Sequence, residues 1–163
     1  DSRVLDMIST YLSDGPSSKL YKKLVDEKKM ALQTGAFNIS QEDYSMYVIF
    51  GLPLGENTLD DLVSEMDEEI VKIQDQLISD RDYQKLQNKI ENGFVNSNAS
   101  IEGIANSLAR YYMLYGDTNL INTEIDIYRS ITREEIQDVA NKYLNPNQRL
   151  VLEYLPETKE NEL

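Results

Sequence analysis

A change of hydrophobic period near residue 30 constrains the fold of this chain more than any other sequence feature. Before Lys28 the apolar residues recur at helical spacing, whereas residues 32–39 and 44–52 follow the two-residue period of strands. The polar run 40–43 separates the two strand-like stretches and predicts a four-residue turn. We therefore expect an antiparallel hairpin over residues 32–52.

A helix break precedes this hairpin. Gly15 is suited to the left-handed conformation that ends a helix, and Pro16 is suited to the first turn of the next one. The sequence thus predicts one helix over residues 2–13 and a second, short helix after the break. Ser17 or Ser18 is expected to cap the second helix.

Helical spacing dominates the rest of the chain. The strongest start signal is the Thr132 to Glu135 capping box, which Ile131 and Ile136 flank as a hydrophobic staple. Apolar alternation returns at Leu150–Leu155, which predicts a third strand. After the hairpin we expect five helices, which begin at Thr58, after a break at Ser79-Asp80, near Ser100, at Leu120 and at Thr132.

Seven helices and three strands predict an α+β fold, in which helices pack on a mostly antiparallel sheet. The length of 163 residues suits a single domain, which we place at residues 1–155, with a polar tail at 156–163. Three strands make a thin sheet, so we expect a further strand before residue 1. The chain also begins inside a helical pattern without an initiator Met, which indicates a piece of a larger protein.

The chain contains no cysteine and no histidine. A typical zinc site and a Ser-His-Asp or Cys-His catalytic centre are therefore excluded for this chain alone. The net charge of −13 argues against nucleic acid as a partner. No run of about 18 apolar residues is present, so we expect no membrane span.

Acidic residues are abundant in the third predicted helix, between residues 56 and 69, where no basic residue intervenes. They are either a solvated helix face or a site for a cation or a basic peptide. No pair of carboxylates is marked out as the acid and base of a hydrolase, such as a glycosidase.

Three segments together carry a resemblance to a known family. They are LSDGPSSKLYKKLVDEKKMA at 12–31, LARYY with YGD at 108–117, and YRSITREEI followed by VANKYL at 128–144. In this order they resemble the half-domain that is repeated in the pitrilysin/insulinase family of zinc metallopeptidases. The resemblance covers nearly the whole chain and implies the processing-peptidase-like α+β architecture of that half-domain.

The resemblance implies that this is the non-catalytic, C-terminal type of half-domain. The family's active enzymes hold zinc with a His-x-x-Glu-His helix and a distal Glu in another half-domain, and that motif is absent here. The implied partners are such a catalytic half, in the same chain or a separate subunit, and a peptide substrate. The implied zinc belongs to the partner half, with no cofactor in this chain, so this chain alone is not expected to be an enzyme.

The resemblance offers one site residue. Non-catalytic halves in this family supply an Arg and, seven residues later, a Tyr that steady the substrate. Tyr111 matches the Tyr, whereas Ile104 stands at the Arg position and cannot donate a hydrogen bond. Tyr111 is therefore the candidate substrate-binding residue, with packing as the alternative, and no catalytic or metal-binding residue is predicted.

Two functions remain open at this point. The chain is either the chamber-forming half of a zinc endopeptidase or a non-proteolytic scaffold subunit, as the broken Arg–Tyr pair allows. Many bacterial relatives act in the cell envelope, so the resemblance implies an envelope or periplasmic location.

Overall fold

The computed structural model describes residues 1–41 and 43–155. Within them, seven helices and a hairpin follow one another in the predicted order, which confirms the α+β class. The elements are α1 (Ser2–Ser13), a π-helix (Tyr21–Glu27), β1 (Ala31–Ser40), β2 (Ser45–Pro53), α2 (Leu59–Asp75), α3 (Asp80–Ser97), α4 (Ile101–Tyr115), α5 (Leu120–Ser130), α6 (Arg133–Tyr143) and a 3₁₀ turn (Pro146–Gln148).

The hairpin is antiparallel, and its strands pair from Ser40 opposite Ser45 back to Ala31 opposite Pro53. The connection begins one residue later than predicted, and Glu42 lies outside the described residues. Gly35 faces Phe50 across the ladder. A Cβ atom at residue 35 would lie 2.1 Å from the Phe50 ring, so the ring fits there because the side chain is absent.

The prediction of a third strand at Leu150–Leu155 is wrong. The described part of the chain contains a two-stranded sheet, and this segment is not a strand. Its side chains are exposed, with 81% for Leu150 and 89% for Tyr154. Strand formation needs a backbone partner, and β1 and β2 pair only with each other in the described residues.

The helix boundaries largely follow the local signals. Thr58 and Thr132 cap α2 and α6, and the Thr132–Glu135 capping box is complete. Gly15 and Gly116 have φ values of +79° and +67°, as expected for helix ends. The N-cap prediction for Ser17 or Ser18 is wrong: the Ser18 hydroxyl donates to the Gly15 carbonyl, and the π-helix has no side-chain cap.

The core is organised around α1, which packs on the hairpin, α3 and α6. Most side chains of its inward face are buried. The largest buried side chains are Met7, Ile8, Leu12, Leu20, Leu24 and Ile136. The predicted tail at 156–163 lies outside the described residues, so the domain boundary at 155 stays a prediction.

No helix in residues 1–41 and 43–155 is long and apolar enough to cross a membrane.

Candidate functional site

Tyr111, the one predicted site residue, lies in the last third of α4. This helix begins at Ile101 and is capped by Ser100, whose hydroxyl accepts a hydrogen bond from the Gly103 N–H at 3.0 Å. Tyr111 is half-buried. Burial, followed by the nearby charge of Glu124, raises the pKa of its phenol, which keeps the hydroxyl protonated and able to donate.

α4 is a surface helix with an apolar and aromatic exterior, and none of its residues is fully buried. Ile104 lies two helical turns before Tyr111 and is 40% exposed. The structure therefore puts an apolar side chain where the family resemblance implies a guanidinium. The other large exposed side chains of α4 are Ile101, Tyr112, Met113 and Tyr115.

An ion pair links α1 to α5 beside Tyr111. The guanidinium of Arg3 donates to both carboxylate oxygens of Glu124, from Nε at 2.9 Å and from Nη2 at 2.8 Å. The same guanidinium lies 5.2 Å from the centroid of the Tyr115 ring. Hydrogen bonding to Glu124 raises the pKa of Arg3, so the cation is permanent.

A second polar group adjoins this pair. Asp6 accepts hydrogen bonds from the Asn38 amide at 3.0 Å and from the Tyr128 hydroxyl at 3.1 Å. Burial raises the pKa of Asp6, and the two hydrogen bonds oppose that rise. Burial also raises the pKa of Tyr128, and the neighbouring Asp6 charge adds to it.

We name these five residues the α1–α5 polar cluster: Arg3, Asp6, Asn38, Glu124 and Tyr128. Its hydrogen bonds connect α1, β1 and α5, and the Arg3–Tyr115 contact reaches the end of α4. Sequence reasoning missed all five residues. The available signal was weak, since Arg3 with Asp6 and Glu124 with Tyr128 merely share helix faces by spacing.

The chemistry open to this cluster is limited. Both carboxylates accept hydrogen bonds from donors of the same chain, namely Arg3 for Glu124, and Asn38 and Tyr128 for Asp6. In the described residues, no group of three or more carboxylates could hold a metal ion. The cluster is therefore suited to fixing the position of α4 and α5 against the hairpin.

The acidic stretch of α2 is largely paired within the chain. Lys23 of the π-helix lies 2.9 Å from Glu65, 2.7 Å from Glu68 and 3.4 Å from Glu69. Lys72 adds a second contact to Glu69. Glu69 is only 6% exposed, so a solvated face is the wrong description of this residue. Lysines of the chain itself occupy the place that a cation or basic peptide would take.

Two concavities lie away from Tyr111. A cavity of about 20 Å³ between α1 and α3 has room for about one water molecule. A cleft of about 400 Å³ separates the end of β2 and the start of α2 from residues 153–155. Neither is lined by residues of the polar cluster.

The sequence was also compared with models of known protein families. Residues 1–90 match the family model described as the peptidase M16 inactive domain. The chain belongs to the M16 inactive-domain family. This membership confirms the resemblance to a non-catalytic metallopeptidase half-domain, although no curated protein matches the chain significantly in sequence.

Solved structures share the fold of this M16 inactive domain. A protease from Helicobacter pylori matches with a TM-score of 0.84 and 22% identity, over 90% of this chain and 35% of that one. The inactive peptidase domain of a candidate zinc protease from Bordetella parapertussis gives 0.82 and 23%, over 98% and 86%. The periplasmic protease PqqL from Escherichia coli gives 0.67 and 17%, over 87% and 15%.

At these identities the likeness establishes the fold alone. The M16 inactive domain described here spans about a third of the length of the Helicobacter pylori protease. What larger M16 proteins do as wholes is therefore a matter of proposal for this chain.

Proposed function

We propose that this M16 inactive domain forms one wall of the substrate chamber of a zinc metalloendopeptidase. It closes over a peptide that a separate half, carrying His-x-x-Glu-His, cleaves. The observation that carries the proposal is the match of residues 1–90 to the inactive-domain model, in a chain without histidine or cysteine.

Zinc does not fit the residues of this chain. Histidine and cysteine are absent, and the described carboxylates form no group able to hold a metal ion. In this proposal zinc and the activation of water belong entirely to the catalytic half. The present domain contributes surface and position only.

The contribution of this domain to binding centres on α4. Its exposed aromatic and aliphatic side chains offer apolar contact to a peptide, and the half-buried Tyr111 offers a protonated hydroxyl. Ile104 supplies no hydrogen bond to a carbonyl oxygen. Substrate enclosure by packing, with one hydroxyl contact, is therefore the role we assign to the domain.

The test combines the purified chain with the catalytic half that is encoded with it. We expect no zinc by elemental analysis and no cleavage of a quenched fluorescent peptide when the chain is alone. Adding the catalytic half should produce cleavage, and replacing the motif Glu by Gln should abolish it. Stoichiometric zinc in the isolated chain, or cleavage by it after rigorous purification, would overturn the proposal.

A non-proteolytic scaffold is the second candidate, and the presence of Ile104 favours it. An assembly subunit needs no donor to a substrate carbonyl, whereas a chamber wall gains from one. Affinity purification from the source cell distinguishes the two functions. A stable complex in which no subunit carries His-x-x-Glu-His indicates the scaffold.

A further inference from the structure

The segment 21–33, which joins the Gly15 break to the hairpin, departs from regular geometry at three successive places. It begins as the π-helix, continues through Lys29 with a φ of +52°, and enters β1 with a bulge at Leu32. A π-helix of this length is rare, a lysine in the left-handed region is strained, and a bulge leaves one residue unpaired. Each feature is less favourable than its regular alternative, so other contacts must stabilise it.

The π-helix places two lysines on one face. The Lys28 N–H donates to the Lys23 carbonyl oxygen at 2.9 Å, which is the five-residue hydrogen bond that defines a π-helix. The Lys23 ammonium lies 2.9 Å from one carboxylate oxygen of Glu65 on α2, and the Lys28 ammonium binds the other oxygen. In an α-helix, residues five apart point about 140° away from each other. An α-helix over the same residues would therefore separate the two ammonium groups that Glu65 holds together.

Glu65 differs in this respect from the other carboxylates near Lys23. Glu68 and Glu69 also pair with Lys23. Within the described residues, however, Lys28 pairs with Glu65 alone. The Glu65 side chain is 17% exposed, and hydrogen bonds from Lys28 and Lys23 lower its pKa, so the carboxylate is charged at neutral pH.

The residue that would replace Lys28 in an α-helical register carries the opposite charge. Glu27 follows Lys23 by four residues, so an α-helix would bring Glu27 to the face that Lys28 occupies in the π-helix. There Glu27 would gain an ion pair with Lys23, but it would be repelled by Glu65. The charge of Glu65 therefore favours the π register. Its loss favours the α register, in which one residue passes from the helix into the connection to β1.

We propose that Glu65 controls a register switch in residues 21–33. While its carboxylate holds Lys23 and Lys28, the segment is a π-helix, and the connection to β1 is short and strained at Lys29. When another cationic group takes the place of the two lysines on Glu65, the segment returns to an α-helix and the connection gains one residue. The switch couples α2 to the hairpin. It is independent of peptidase activity and does not rest on the proposed function.

The test compares three variants of the full chain by NMR. The contact between the α-proton of Lys23 and the amide proton of Lys28 spans five residues, so it reports the π register. Glu65→Gln removes the bridging charge, and Lys28→Gln removes one of the two lysines, whose side chain is 43% exposed. Glu68→Gln is the matched control, because it makes the same chemical change on the same helix beside Lys23 only.

We expect Glu65→Gln and Lys28→Gln to weaken the five-residue contact roughly fivefold and to strengthen the four-residue contact between Lys23 and Glu27. Glu68→Gln should leave both contacts unchanged. Survival of the five-residue contact in either of the first two variants, or its equal loss in Glu68→Gln, would rule out the switch.

Deleting Asp26 tests the switch by another route. Asp26 is exposed in the π-helix, and without it Lys23 and Lys28 are four residues apart, so an α-helix presents both to Glu65. We expect this deletion to keep the fold, with a denaturation midpoint at least as high as that of the parent chain. Deleting the exposed Gln84 from α3 should unfold the chain, because it turns the following core residues by about 100°. Unfolding by both deletions would contradict the proposal.

Discussion

Arg3 and Glu124 are 121 residues apart in the chain, yet they form an ion pair with two parallel hydrogen bonds. Glu124 is 7% exposed, so its carboxylate is shielded from water on most sides. The pair joins the first helix to α5 and places a guanidinium against the Tyr115 ring. This contact therefore fixes α1 to α5 beside the helix that carries Tyr111.

Removing the charge of Glu124 tests this link. We expect Glu124→Gln to lower the free energy of unfolding by about 2 kcal/mol, because Arg3 keeps its charge but loses its counter-ion and one acceptor. Urea denaturation measures the change. As control, Arg129→Gln breaks an exposed pair with Glu91 and should leave the denaturation midpoint unchanged. Equal losses of stability in the two variants would show that the buried ion pair contributes no more than the exposed one.

How far the sequence predicts this structure depends on the range of the interaction. The hairpin and the Thr132 capping box are signalled by residues that are close together in the sequence, and both were predicted, although Ser40 pairs with Ser45 and belongs to β1 rather than to the turn. The Arg3–Glu124 pair has no local signature, because helix spacing says which residues share a face but not which faces meet. The Leu150–Leu155 prediction failed for a related reason: strand propensity cannot supply a partner strand.

The candidate site follows the same rule. Tyr111 came from resemblance, and no physical signal in the sequence distinguished it from Tyr112 one position on. The π-helix could not be foreseen either, because Leu20 and Leu24 fit an ordinary α-helix equally well. The lysine that this π-helix directs towards Glu65 was therefore missed.

Gly35 offers a test of the hairpin packing. In Gly35→Ala the new methyl group would meet the Phe50 ring at 2.1 Å, so one of them must move. We expect a loss of about 2 kcal/mol in the free energy of unfolding, which is typical of overpacking. Thermal and urea denaturation measure it, and Phe50→Leu in the same chain should restore part of the loss.

Gly93→Ala is the control for the glycine substitution. Gly93 lies within α3, and a Cβ atom there meets nothing within 4 Å. Alanine at this position should raise the free energy of unfolding by roughly 0.5–1 kcal/mol, since glycine is costly inside a helix. The two substitutions should change the free energy of unfolding in opposite directions. A loss of stability in both variants would contradict the proposed packing of Gly35 against Phe50.

Asp6 should give stability an unusual pH dependence. Its folded-state pKa is raised above the ordinary 3.8, first of all by burial. Its contribution to stability is therefore complete below 3.8 and is lost as the pH rises through the folded-state pKa. Relative to Asp6→Asn, the unsubstituted chain should lose stability as the pH rises above about 3.8, as measured by urea denaturation at each pH.

Asp82 should give the pH dependence of stability the opposite sign. Its hydrogen bond with Lys19 lowers its pKa below 3.8, so its contribution is present above that value and is lost as the pH falls. Relative to Asp82→Asn, the unsubstituted chain should gain stability as the pH rises. If the stability difference from the parent chain changes with pH in the same direction for both variants, burial is not the main influence on the pKa of Asp6.

Tyr111→Phe separates substrate contact from packing. The pKa of this phenol is raised by burial and by nearby charges, and no hydrogen bond contributes to the shift. Loss of the hydroxyl should therefore change the free energy of unfolding by less than about 0.5 kcal/mol. In the reconstituted peptidase, kcat/KM should fall roughly fivefold, as expected for one neutral hydrogen bond. Tyr112→Phe is the neighbouring control, and if both variants retain full activity, Tyr111 is a packing residue.

Lys23 should matter far more than its neighbour in sequence. Its side chain is 12% exposed and approaches the carboxylates of Glu65, Glu68 and Glu69. Lys23→Met keeps most of the apolar stem but removes one counter-charge from each carboxylate, and the buried Glu69 then keeps only Lys72. We expect a loss of roughly 2 kcal/mol in the free energy of unfolding, because a largely buried carboxylate that loses one of its cations is destabilised.

Lys22→Met makes the same chemical change one residue earlier. Lys22 is 62% exposed and lies 3.6 Å from the exposed Glu27, so its removal should cost less than about 0.5 kcal/mol. Added salt should narrow the difference between the two variants only slightly, because ions screen buried charges poorly. A difference that vanishes in salt would mean that Lys23 acts as a surface charge, and that packing alone holds the π-helix against α2.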